Sequence, residues 1–375
     1  MNTQAQAYVS GNGDQKQTLV VIFLRGGADG LNLVAPLADS GYHKHRPRIA
    51  LNEKEAVKLD GFFGLNPLLK NLASIYEAGE LAIIHGAGSE DDTRSHFEAQ
   101  DLMEHGGMVA GGWLGRFLRY RQDQTSGSLS AMAIGKALPE CLRGAPAATV
   151  LESLDDFSLG KNSARLAREL AHLYAGETGP LGQSANDTLS ALDRLDRLRA
   201  TRYQPENMAE YAYDPFSQGL KQVARLIKAQ VGLEAVSLDL GGWDSHLNQS
   251  NLMDPLMRRL NSGLAAFHQD MGRRMEHVSV VVMTEFGRRV VENSAFGTDH
   301  GRASVMFVMG GGVKGGRVIG PWTELKDELL EGPGDLPVVN NYRNVLAPIL
   351  QRHSPKADFK KIFPEFELMP LSLFS

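Results

Sequence analysis

Five short stretches of this chain place carboxylates, imidazoles and hydroxyls where a reaction could use them. Asp29 lies in Arg25-Gly26-Gly27-Ala28-Asp29-Gly30, at the end of the apolar run Thr18 to Leu24. Thr93-Arg94-Ser95-His96 opens a helix-like segment, and Gly241-Gly242-Trp243-Asp244-Ser245-His246 closes a second apolar run. Thr284-Glu285-Phe286-Gly287-Arg288 ends the β-branched run Val278 to Met283, and Asp299-His300 follows between glycines. Buried carboxylates need a partner charge, and a divalent cation supplies one for several acidic and imidazole groups at once. The candidate ligands are Asp29, Asp244, His246, Glu285, Asp299 and His300, enough for one or two ions. Mixed oxygen and nitrogen donors suit Zn²⁺ or Mn²⁺, whereas oxygen donors alone suit Ca²⁺ or Mg²⁺. Ser95 is the candidate nucleophile. Amides at a helix N-terminus stabilise an anion, and a neighbouring cation lowers the pKa of a hydroxyl. Arg25 and Arg288 would fork onto the non-bridging oxygens of a phosphate or sulfate group, and His96 would support the site from beside it.

Plainer readings stand next to these. Ser95 followed by Glu98 is a capping-box pattern that needs no catalysis to explain it. Asp29 would brace a glycine turn, and Arg288 would neutralise Glu285. The glycines from Gly310 to Gly316 make a turn system, because the Lys-Ser/Thr ending of a phosphate-cradling loop is missing.

The positioning elements follow from periodicity. Thr18 to Leu24 is continuously apolar, as expected of a strand covered on both faces. Leu81 to His85, Ala131 to Ile134, Leu233 to Leu240, Val278 to Met283 and Ser304 to Met309 read as further strands, the last with a hairpin-like return to Val318-Ile319. Helices are expected over Asn66 to Ala78, capped by Asn66 with Pro67 in the first turn, over Ser95 to His105, Trp113 to Arg121, Asp254 to Arg274 and Tyr342 to Gln351. Residues from about 150 to 230 carry Leu and Ala at helical spacing and read as a helical insertion capping the sheet. Alternating strands and helices imply an α/β fold of three layers, α/β/α, around a mainly parallel sheet. Ligands of such sheets bind beyond the carboxyl ends of the strands, which is where the five stretches fall.

Composition narrows the class. With 375 residues and 42% hydrophobic content, a large core can be buried; residues 1–17 read as a disordered lead-in and 18–375 as a single domain. A net charge of −5 lacks the basic footprint of a nucleic-acid binder. No apolar run approaches the roughly 18 residues that span a bilayer. One cysteine, Cys141, excludes an internal disulfide framework, and Cys141-Leu142-Arg143 lacks the context of a formylglycine sulfatase.

The segments FLRGGADGLN, RSHFEAQDLME, GGWDSH, TEFGRR and GTDHGRA resemble, in order and over residues 18 to 350, the signatures of the bacterial family called domain of unknown function 1501, which is assigned to the alkaline phosphatase and sulfatase superfamily. The resemblance implies an alkaline phosphatase-like sheet with Asp29 as first-strand ligand, Ser95 or Thr93 as nucleophile, Asp244 and His246 before a long helix, Glu285 in place of an Asp-His pair, and Asp299-His300 last. Phe286 stands where that pattern has a ligating histidine. The implied activity is metal-dependent hydrolysis of small-molecule or carbohydrate phosphate or sulfate esters. The alternatives are a non-catalytic metal-binding exported protein, or a phosphonate hydrolase or phosphomutase-type relative. Members of the family often carry a twin-arginine export signal, which implies a periplasmic or extracellular location; the start of this sequence shows no such signal.

Overall fold

The computed structural model describes residues 17–121, 127–154, 163–177 and 179–374, so the expected lead-in falls outside the described residues except for Gln17. One sheet holds nine strands: β1 (Thr18–Arg25), β2 (Leu81–Gly88), β3 (Ala131–Ile134), β4 (Thr149–Leu151), β5 (Ala235–Gly241), β6 (Val278–Met283), β7 (Ser304–Gly310), β8 (Arg317–Ile319) and β9 (Asn340–Asn341). Their order is β8-β2-β7-β6-β1-β5-β3-β4, with β9 also pairing β2. All pairings are parallel except the two made by β7, with β2 and with β6.

Side chains of β1 alternate between two cores, as a pleated strand covered on both faces requires. Val20, Ile22 and Leu24 enter one apolar cluster, while Leu19, Val21 and Phe23 enter the other. The first cluster is closed by α1 (Asn71–Glu77), α6 (Pro215–Lys228) and α7 (Gln249–Met271). The second is closed by α2 (His96–His105), α3 (Trp113–Tyr120) and α8 (Tyr342–His353). The three layers expected from the sequence are therefore present. Two further helices, α4 (Ser163–Tyr174) and α5 (Pro180–Ala200), fall inside the segment read as helical. Ala191 and Leu195 of α5 reach the first core, and α6 lies in the layer itself.

Two expectations need correcting. The long helix begins at Gln249, five residues before Asp254, because Gln249 is drawn inside to bond Asp29 and Thr298. The return from β7 to β8 is not a hairpin: β2 lies between the two strands, antiparallel to β7 and parallel to β8. The glycine-rich turn straddles the start of β2, where the amides of Gly315 and Gly316 bond the carbonyls of Gly79 and Leu81 at 3.1 and 2.9 Å.

Candidate functional site

The carboxyl ends of β1, β2, β5 and β6 and the amino end of antiparallel β7 lie on the same edge of the sheet. The chain leaves β1 through Gly26 and Gly27, both at positive φ. A Cβ on Gly26 would lie 2.5 Å from the Asp244 nitrogen, and one on Gly27 would lie 2.7 Å from the Phe286 ring. Glycine is thus required for the β1, β5 and β6 exits to approach one another.

Four groups converge in that approach. Asp244 Oδ1 lies 3.1 Å from His246 Nε2, 3.4 Å from His300 Nε2 and 3.5 Å from His96 Nε2. His246 Nε2 and His300 Nε2 are 2.8 Å apart. Donor atoms of His96, Asp244 and His300 all fall within 4.8 Å of one another, close enough to share a metal ion.

The other side of two of these rings is held by a hydrogen bond. His96 Nδ1 lies 2.8 Å from Glu285 Oε1. His300 Nδ1 lies 2.7 Å from the Arg94 carbonyl, which can only accept, so Nδ1 carries the proton there. His246 Nδ1 faces Asp299 Oδ1 at 3.5 Å. His96 and His300, held at Nδ1, can turn an Nε2 lone pair inward, the arrangement that outer hydrogen-bond partners give to metal-binding histidines, and His246 Nε2 donates to His300 Nε2. His96 Nε2 is buried without a hydrogen-bond partner of its own, so the donor set fits a cation. Phe286 stacks on His96 at 4.8 Å and tilts against His300 at 4.9 Å between centroids. A phenyl ring in this position is a plate that sets the pitch of both imidazoles.

Glu285 is the buried anchor. Oε1 accepts from the Gly26 amide, His96 Nδ1 and Gln100 Nε2, each at 2.8 Å, and Oε2 lies 3.0 Å from the Thr284 hydroxyl. Burial pushes its pKa up, but the His96, Gln100 and Gly26 hydrogen bonds outweigh burial and hold it below the usual carboxylate value. The Glu285 bond in turn raises the pKa of His96. His300 is shifted down, chiefly by burial. Partial burial opposes ionisation of Asp244, yet the Arg288 hydrogen bond brings its pKa down to about 2.

The remaining expected residues lie elsewhere in the network. Arg288 is buried and donates to the carbonyls of Gly27 at 2.7 Å, Thr298 and Trp243 at 3.2 Å, and Gly26, as well as to Asp244 at 2.9 Å. Its fork ties backbone turns together. Asp29 is fully buried and held by both Arg46 Nη atoms, at 2.5 and 3.0 Å, with Gln249 Nε2 at 2.7 Å. The arginine supplies its counter-charge in place of a metal. Arg25 points into a neighbouring cleft, bonded to Asp239 at 2.7 Å, Glu104 at 3.0 Å and Gln100 at 3.1 Å. That cleft, of about 670 Å³, shares Gln100 with the Glu285 network and has the exposed Phe97 in its wall. Ser95 is the N-cap of α2, its oxygen accepting from the Glu98 amide at 3.5 Å. The Thr93 hydroxyl bonds Glu98 Oε2 at 2.9 Å.

Sequence reasoning put His96 beside the site; its Nε2 is in the cluster. It missed Gln100, Gln249 and Arg46 altogether. Gln100 lies one helical turn beyond His96, the one pattern that could have flagged it.

The model of the family described as "Protein of unknown function (DUF1501)" matches residues 90–352. The chain belongs to this family. The region matched in this DUF1501 protein takes in His96, Asp244, His246, Glu285, Asp299 and His300, and leaves out Arg25 and Asp29. No curated protein matches the chain. Solved structures similar to the DUF1501 chain include the zinc-complexed C-terminal periplasmic domain of EcEptC from Escherichia coli, at 8% identity and a TM-score of 0.36 over 80% of this chain and 74% of that one. The phosphonate monoester hydrolase of Agrobacterium radiobacter aligns at 8% identity and a TM-score of 0.35, over 81% and 70%. A 2-O GAG sulfatase aligns at 10% identity and a TM-score of 0.38, over 96% and 74%.

Proposed function

We propose that the protein is a metal-dependent hydrolase of phosphate or sulfate esters. The observation that carries the reading is the convergence of three imidazole Nε2 atoms on one oxygen of Asp244, with the His96 and His300 rings each held by a hydrogen bond at Nδ1. His96, Asp244, His246 and His300 would hold one divalent ion. A donor set rich in imidazole favours Zn²⁺ or Mn²⁺ over the oxygen-seeking Ca²⁺ and Mg²⁺. Bound there, the ion supplies Lewis-acid polarisation of an ester oxygen.

The chain's own groups do the rest. Glu285 keeps the Nδ1 proton on His96 and so keeps Nε2 available. Ser95, exposed at the N-terminus of a ten-residue helix, is the nucleophile in this reading. Its Oγ would form the bond to phosphorus or sulfur as the ester's alkoxide leaves carrying the hydroxyl proton, water would then cleave the seryl ester and restore the hydroxyl, and the first-turn amides favour negative charge there. The 670 Å³ cleft beside Gln100 has the volume of a small-molecule site and would receive the organic half of the ester.

A second reading, a metal-binding protein without catalysis, is favoured by one observation. Both candidate nucleophiles are tied into the first turn of α2, and the Arg288 donors go to backbone carbonyls and Asp244. Turnover of aryl phosphate and aryl sulfate by the Zn²⁺- or Mn²⁺-loaded protein separates the two. The enzyme reading expects turnover that the Ser95→Ala variant loses while it still retains metal. Metal uptake with no turnover of either ester supports the second reading.

A further inference from the structure

Residues 90–94, the segment that leads into α2, make no backbone–backbone hydrogen bond among the described residues. Side chains from other parts of the chain hold the segment instead. At its start, Arg302 Nη2 donates to the carbonyls of Ser89 and Glu90, each at 3.2 Å, and the Glu90 carboxylate accepts from Arg343 and Asn341, each at 2.8 Å. Between the ends there is only local turn chemistry, with Asp91 Oδ1 accepting from the Thr93 amide at 2.8 Å. At its end, Arg94 Nη2 donates to Asp335 Oδ2.

Asp335 is a firm anchor. Its side chain is fully buried, and a buried carboxylate holds on to its counter-charge. Its amide and carbonyl pair with Glu331 at 2.8 and 2.9 Å. The neighbouring carbonyls of Gly334 and Leu336 accept from Val290, just after β6, at 3.0 Å and from Ala303, just before β7, at 3.2 Å. Asp335 is therefore tied to both ends of the loop that carries His300. Arg94 spans from this anchor to the cluster. Its guanidinium is held by Asp335, and its carbonyl accepts from His300 Nδ1 at 2.7 Å. With no backbone ladder around it, that carbonyl is placed by what grips the side chain.

We propose that Asp335 is a positioning residue of the histidine cluster, acting through Arg94. The ion pair sets the main chain of Arg94, and the Arg94 carbonyl keeps the proton of His300 on Nδ1. His300 Nε2 is then turned toward Asp244, 3.4 Å away. The effect on a bound ion rests on the metal reading of the cluster; the orientation of His300 does not.

Two measurements on the full chain test it: zinc affinity by chelator competition, and the Nδ1 proton resonance of His300 in the metal-free protein. Asp335→Asn and Arg94→Gln should each weaken zinc binding about 10–100-fold, the usual effect of altering an outer partner. Direct action of charge predicts a split instead, because losing a carboxylate weakens a cation's binding and losing an arginine strengthens it. Arg94→Gln that binds zinc as tightly as the wild type, or more tightly, overturns the proposal. The hydrogen-bonded Nδ1 proton should be visible in the wild type and lost from both variants; a resonance unchanged in Asp335→Asn overturns the proposal as well. The Asp335→Asn/Arg94→Gln double variant changes no net charge and leaves neither member of the pair charged. It carries the test if a single variant fails to fold, and its zinc affinity should fall no further than that of the weaker single variant. A wild type that takes up no zinc sinks the metal reading, and the proton resonance then decides the positioning alone.

Discussion

Asp29 and Glu285 lie at the ends of neighbouring strands, both buried, and both read from sequence as metal ligands, yet their surroundings differ in kind. Asp29 is gripped by a guanidinium, and the same Arg46 goes on to bond the carbonyls of Val290 at 2.8 Å and Arg289 at 2.9 Å. Every donor and acceptor is turned inward, so the pair fastens the loop after β6 and offers nothing outside. Glu285 is met by amides and one imidazole. An imidazole has a second nitrogen, so neutralising the carboxylate on one side leaves a lone pair presented on the other. A buried carboxylate closed by arginine braces the fold, and one backed by histidine can face a ligand.

That contrast breaks most easily at Arg46. Arg46→Ala leaves Asp29 buried without its cation, which should cost on the order of 3–5 kcal/mol, read as a lower urea midpoint. Metal content of the chain that remains folded should not change; loss of metal at unaltered stability would reverse the assignment. His300→Ala should act the opposite way, with metal affinity down about 100-fold or more and the metal-free urea midpoint nearly unmoved. Glu285→Gln keeps the shape and removes the charge behind His96. The expected loss is about 10–100-fold in metal affinity, the usual effect of altering an outer partner, and wild-type affinity in this variant would show that Glu285 only packs.

Histidines away from the cluster sharpen the comparison through pH. His85 is buried, with Nε2 facing the Val34 carbonyl at 3.0 Å, Phe63 stacked on it and Trp322 edge-on; burial lowers its pKa to about 4, against weaker upward pulls from the Val34 hydrogen bond and from Asp29. His353 faces Ser279, and burial with nearby Arg352 lowers its pKa to about 3. Both are neutral in the fold. The unfolded chain takes up these protons below about pH 6.5, so it binds more of them and stability must fall as pH drops from there towards 4. The loss is on the order of 2 kcal/mol per histidine by pH 5, and a urea midpoint that stays flat from pH 7 to 5 would contradict it. The smallest effect belongs to Ser95→Ala, about 1 kcal/mol from the lost helix cap, measured in the same urea titration.

Much of the architecture was legible because apolar runs and caps are local. The β1 and β6 runs, the Asn66 cap and the Ser95 cap are all where periodicity and turn chemistry put them. What stayed hidden depends on distant partners. Nothing in the sequence around Arg46 marks it as the counter-charge of a residue in another turn. His96 looks like any first-turn residue until Glu285 and Phe286 are folded against it. Arg25, one residue past an apolar run, shows no sign that it turns to Asp239 and the cleft. The placement of β8 beside β2 is decided by which edge is left open, which no window of sequence records.

The insertion of β7 between β2 and β6 has a kinetic consequence. His300 belongs to the loop that feeds β7, and a bridge between Arg288 and His300 sets it beside the exit of β6. The other imidazoles sit in earlier segments, so the cluster is complete only once β7 has closed against β2, a pairing far apart in sequence. Such long-range closure is slow, and a cation seized here would act as a latch on the finished molecule, its capture timing the last step of folding.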